Sequence, residues 1–144
     1  FMERIQPLLL KAGRVPPRTR ELVEQTGIRL EKLEKLLKEL TRAGHLVQVA
    51  DNRHFLPETL LELADFSVEL AENIERAEKA EKTEKAGTDQ GFTVIQFRDA
   101  TGIGRNLCIE ILEYFDGVGF TQRRDNVRLI RVPPARAFRF HPEH

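Results

Sequence analysis

Between Gly117 and Phe140 the chain carries six arginines against one carboxylate, Asp125. Guanidinium groups stay charged and present a planar fork of donors, so such a run suits the holding of phosphates or carboxylates rather than bond-making chemistry. Arg123, Arg124 and Arg128 fall on what reads as two short strands, with Asn126 in the turn between them. Upstream, Gly102, Gly104, Arg105 and Asn106 open a helix. That end combines close backbone approach, free amide donors, the positive end of the helix dipole and a guanidinium, which together make a phosphate-binding end. Arg98 sits on the preceding helix, where it can join this surface or pair with Asp99. Alternation along a strand sends Arg123 and Arg124 to opposite faces, so one of the two is expected to be structural.

Other chemistries find no footing. His45, His54, His141 and His144 lack metal-ligand spacing and partner cysteines, and no metal or cofactor is expected. The single Cys108 lies on an apolar helical face and reads as an inert core thiol. No Gly-x-x-x-x-Gly-Lys loop occurs, so neither GTP hydrolysis nor another enzymatic activity is expected of these residues. The apolar runs last only a few residues, which excludes a helical membrane span. The chain starts on Phe1 without a signal-peptide pattern and reads as a fragment of something longer. Net charge is zero, yet unevenly spread: residues 58–85 hold nine acids and four bases, whereas the arginine run lies beyond them.

The elements that must position those arginines come in two similar sets. Thr26-Gly27-Ile28 recurs as Thr101-Gly102-Ile103, and Gly44 recurs as Gly119, all at one constant offset in the numbering. The first set runs from a helix through Ile5, Leu8 and Leu9, past Pro16-Pro17, to a helix capped by Thr19 and closed by Gly27. A longer helix with Leu30, Leu33, Leu36, Leu37 and Leu40 on one face then leads to two strands around an Asp51-Asn52 turn. Helix, glycine turn, longer helix and hairpin are the helix-turn-helix plus wing. The expected fold is therefore mostly α with small β-hairpins, an α+β chain of two tandem winged-helix domains. Its divisions are 1–57, a spacer or docking domain; 58–87, an acidic helical linker; and 88–144, a C-terminal RNA-binding domain. The helix from about Pro57 serves as the first helix of the second domain or as its link.

The long helix of the second set carries Glu110, Glu113 and Asp116 opposite its core stripe. Carboxylates facing phosphates cost affinity, so lengthwise insertion into a DNA major groove is disfavoured. A compact RNA hairpin, with unpaired bases that can be splayed out and stacked, fits better. Tyr114, Phe138 and Phe140 could stack on such bases but are expected mainly to pack. A winged-helix DNA-binding regulator and a protein-interaction module are the alternative readings.

The run FRDATGIGRNLCIEILEYFDGVGFTQRRDNVRLIR, residues 97–131, resembles the last winged-helix domain of the bacterial selenocysteine-specific translation elongation factors. It shares the order Phe-Arg-Asp, a Gly-x-Gly-Arg turn, a helix ending Leu-Glu-Tyr-Phe-Asp, then Gly-Phe-Thr and an Arg-Arg wing. The first set, from RIQPLLLKAG through the HFLP strand, is similar to the preceding domain. The resemblance implies the C-terminal part of a cytoplasmic GTPase that delivers selenocysteinyl-tRNA at UGA codons. It also implies that the last domain tethers the factor through the selenocysteine insertion hairpin in mRNA, with the ribosome met through the parent factor; the chain itself is expected to be a monomer. The contacts implied are Arg98, Gly104, Arg105, Arg123 and Arg124, joining Asn106, Asn126 and Arg128 from the residues themselves. Asn106 stands where the family often has Lys, which bears on one phosphate contact.

Overall fold

The computed structural model describes residues 2–80 and 91–138. Two compact units divide the chain, with the boundary between Leu60 and Leu61.

In the first unit, α1 (Met2–Ala12), α2 (Thr19–Thr26) and α3 (Leu30–Arg42) precede an antiparallel hairpin, β1 (Val47–Ala50) with β2 (Arg53–Phe55). Ile5 and Leu9 of α1, Leu22 of α2, and Leu33, Leu36 and Leu37 of α3 form one core with Ile28, Leu46 and Leu56. The i, i+3, i+4 spacing in α3 puts its leucines on a single face, and each fully buried leucine contributes about 1.5–3 kcal/mol. Thr19 is not the cap of α2. The N-cap is Arg18, whose amide donates to Glu21 Oε1 at 2.7 Å. Thr19 is occupied elsewhere: its amide and hydroxyl both donate to the Asn52 carbonyl, at 2.9 and 3.3 Å, fastening α2 to the hairpin turn.

α4 (Pro57–Ala80) is a continuous helix whose buried residues include Leu63, Ala64, Ser67 and Ala71. The acidic helical linker expected over 58–87 is helical as far as Ala80, and its remainder lies outside the described residues.

In the second unit, β3 (Gly91–Thr93), α5 (Val94–Thr101), α6 (Arg105–Gly117), β4 (Thr121–Arg124) and β5 (Val127–Ile130) are followed by a short α7 (Pro134–Ala137). The wing is a three-stranded antiparallel sheet ordered β3-β5-β4, one strand more than the expected hairpin. The run GFT is too short for alternation to reveal a strand. Thr93 and Gln96 form a reciprocal capping box that turns β3 directly into α5. The core holds Phe92, Phe97, Leu107, Cys108, Ile111, Leu112, Phe115 and Phe120. Phe115, Phe120 and Phe138 meet edge to face with centroids 5.1–5.4 Å apart, so Phe138 is a packing residue. Phe140, His141 and His144 lie outside the described residues.

The repeat reaches atomic detail. Helices α2 and α5, and α3 and α6, start and end at the same offset that separates Thr26 from Thr101. Gly27 and Gly102 close α2 and α5 at φ 74° and 75°, conformations that glycine adopts without steric cost. Thr26 and Thr101 each donate a hydroxyl back to a helix carbonyl, of Leu22 and Phe97, and each accepts the amide of a following isoleucine, Ile28 and Ile103.

Candidate nucleic-acid interface

The helix-wing junction of the second unit contains a recess of about 230 Å³. Its walls come from the start of α5 (Thr93, Val94, Ile95), from Arg98 further along α5, and from α6 (Arg105, Ile109). The wing completes it with Arg123, Asn126 and Arg128. Five of the eight residues expected from sequence therefore converge: Arg98, Arg105, Arg123, Asn126 and Arg128. Gly104 is the exposed N-cap of α6 and Asn106 is exposed in its first turn, but neither lines the recess. No side chain caps that helix end, which leaves its first-turn amides to outside acceptors.

Register resolves the two neighbouring wing arginines. Arg123 pairs directly with Arg128 across β4 and β5, so both side chains leave the same face of the sheet. Arg124 pairs with Val127 and leaves the other face. Arg123 is exposed, and its Nε donates to the Asp125 carbonyl at 2.9 Å, a bond that braces the turn. Asp125 holds φ 58°, the left-handed region that Asp tolerates better than most residues.

Arg128 is different from the rest, because its side chain is only 3% exposed. Its Nε and Nη2 donate to Asp116 Oδ2 at 3.3 and 3.2 Å, while Asp116 Oδ1 accepts the Thr121 hydroxyl at 2.6 Å. Asp116 therefore does not extend an outer row of carboxylates with Glu110 and Glu113; it turns inward, at 25% exposure, to serve the wing. Of its two alternatives Arg98 takes both: it lines the recess and bridges to Asp99, with Nη2 3.3 Å from Oδ1 at an exposed site, where such pairs are worth about 0–1 kcal/mol. A phosphate can outcompete so weak a partner.

The apolar part of the recess was not foreseen. Val94, Ile95 and Ile109 supply it, and Ile95 is 56% exposed. Its only mark in the sequence is the β-branched pair Val94-Ile95, which reads equally well as ordinary core. Tyr114 is half-buried, and burial raises its phenol pKa above the usual 10.0. Burial also raises the Cys108 thiol, as expected of an inert core thiol.

The first unit does not repeat the cluster of cations. A shallow recess between α2 and α3 is lined by Arg20, Val23, Glu24 and Leu30. Under the repeat, Val23 and Leu30 are the counterparts of Arg98 and Arg105.

A recognition helix, a three-stranded wing and a shared cationic recess define the second unit as a winged helix. Residues 86–130 match the family described as "Elongation factor SelB, winged helix". The chain is 30% identical over 136 residues to the selenocysteine-specific elongation factor of Escherichia coli strain K12, covering 91% of this chain and 20% of that protein. It is 27% identical over 112 residues to the Haemophilus influenzae factor, covering 78% and 16%. The chain thus spans at most a fifth of these relatives' length. Among solved structures, it aligns with the mRNA-binding domain of elongation factor SelB from E. coli in complex with SECIS RNA. That alignment has a TM-score of 0.70 and 29% identity, over 92% of this chain and 100% of that one. The resemblance to the C-terminal winged-helix part of SelB thus extends over nearly the whole chain, and it is residues 86–130 that match the SelB winged-helix family.

Proposed function

We propose that this chain is the mRNA-hairpin-binding C-terminal part of a selenocysteine-specific elongation factor. It tethers its parent GTPase to the selenocysteine insertion hairpin for recoding of UGA on the ribosome, in the cytoplasm. The observation that carries this reading is the recess, where Arg98, Arg105 and Arg123 from three different elements surround apolar Val94, Ile95 and Ile109. Cations spread around a small apolar hollow suit phosphates arriving from several sides with an unpaired base between them, which a hairpin offers and a straight duplex does not. The E. coli neighbour was solved with SECIS RNA, and similarity over its full length supports the same class of ligand.

Within this reading the two units are tandem winged-helix domains, the repeat of caps and helices being the support. The first serves as spacer or docking module and the second contacts RNA through Arg98, Gly104, Arg105, Asn106, Arg123, Asn126 and Arg128, with Arg124, on the other face of the wing, in a lesser role. α4 provides the first helix of the second domain, preceding β3 as the fold requires. A fluorescence titration of the whole chain tests the function: a selenocysteine insertion hairpin should bind far more tightly than an RNA duplex of equal charge. Equal affinities would overturn it in favour of a general polyanion-binding or protein-interaction module.

A further inference from the structure

The wing contains a buried arginine that phosphate binding does not explain. Arg128 lines the recess, yet it is almost fully enclosed and shares its charge with Asp116. Free phosphate-binding arginines are exposed and gain by releasing counterions. A buried guanidinium already balanced by a carboxylate has no net charge to offer, only directed N–H groups. Asp116 engages it through Nε and Nη2 and is itself held by the Thr121 hydroxyl. The carboxylate also relieves the repulsion expected where Arg123 and Arg128 sit directly opposite each other.

A purely structural staple is the competing account, and the first unit shows what one looks like. Arg53, the counterpart of Arg128 under the repeat, is also buried, and its Nη1 donates to the Pro16 carbonyl. At the place of Asp116 that unit has Thr41. A buried arginine in the second wing strand recurs, and in the second unit it is Asp116 that meets it.

We propose that Asp116 is a positioning residue that converts Arg128 into a charge-cancelled donor for a neutral acceptor, making this pair the specificity determinant of the recess. The inference rests on the RNA reading of that site. The acceptor class is the carbonyl or ring-nitrogen edge of an unpaired nucleobase, its faces against Val94, Ile95 and Ile109. Arg98, Arg105 and Arg123 remain the phosphate-holding cations.

The test titrates the full chain, between about 50 and 200 mM salt, with an insertion hairpin and with the same hairpin made abasic at its unpaired positions. Wild type should prefer the intact hairpin. Asp116→Asn, which exposes one net positive charge, should bind the abasic hairpin more tightly, with a salt slope steeper by about 0.7–0.9, and should lose tenfold or more of its preference. Arg128→Lys keeps the pair neutral, so it should lose the preference while leaving the slope unchanged. Uniform weakening for both hairpins in folded variants, with the slope unchanged in each, would mean a staple and overturn the proposal. If Asp116→Asn does not fold, Arg128→Lys decides alone, retained preference overturning the proposal. Failure of wild type to bind the hairpin above a duplex is a separate result that sinks the RNA reading itself.

Discussion

Arg123 and Arg128 lie directly opposite one another across β4 and β5, on one face of the sheet, while Arg124 beside them faces away. Two adjacent arginines in the sequence are therefore unequal in function. Arg123→Ala should weaken hairpin binding about tenfold or more, the range for loss of a charge-assisted contact. Arg124→Ala should cost much less. Parallel titrations at one salt concentration check the ranking, and an Arg124 effect as large as that of Arg123 contradicts the register argument.

Ile95 offers a cleaner separation of binding from folding, because it is exposed. Ile95→Asp should leave stability within about 0.5 kcal/mol of wild type, as for most surface changes. It should nonetheless weaken hairpin binding severely, by placing a carboxylate among phosphate-holding cations. Urea melts and titrations of the same preparation measure both.

Gly91 should be intolerant of even a methyl group. A Cβ there would stand 2.8 Å from both the Arg128 carbonyl and Val127 Cγ1. Gly91→Ala must push β3 and β5 apart, at a cost of about 1–3 kcal/mol. The denaturation midpoint should fall, and hairpin affinity with it, since β5 carries Arg128.

The first unit should show a pH dependence traceable to one side chain. His54 is buried, and burial lowers its pKa from the usual 6.5. The unfolded chain then binds more protons than the folded one as pH falls, so the neutral imidazole's contribution is intact above pH 6.5 and is lost below it. Urea melts on either side of that pH should show a smaller acid-side drop for His54→Gln than for wild type.

Much of this architecture was legible because glycine and hydrophobic spacing leave clear marks. Gly27 and Gly102 marked helix ends, the leucines of α3 and the apolar stripe of α6 marked core faces, and the repeat united them. What escaped depended on partners distant in sequence. The Thr19 hydroxyl reads as a cap until Asn52 folds next to it, and Asp116 reads as an outer acid until Thr121 and Arg128 come within reach. The cations of the recess were foreseen and its apolar wall was not, because half-buried Val94 and Ile109 and exposed Ile95 resemble ordinary core residues until burial is known.

The duplicated backbone gives this molecule a built-in reference channel. Val23 and Leu30 occupy, on helices of equal length, the stations that Arg98 and Arg105 occupy in the second unit. In a spectrum that reports every amide, RNA should perturb signals from Gly102 and Arg105 and leave their counterparts Gly27 and Leu30 quiet. Both responses come from one sample at one concentration and one ionic strength, so their difference cancels the nonspecific pull of a polyanion and leaves only what side-chain chemistry adds to a shared frame.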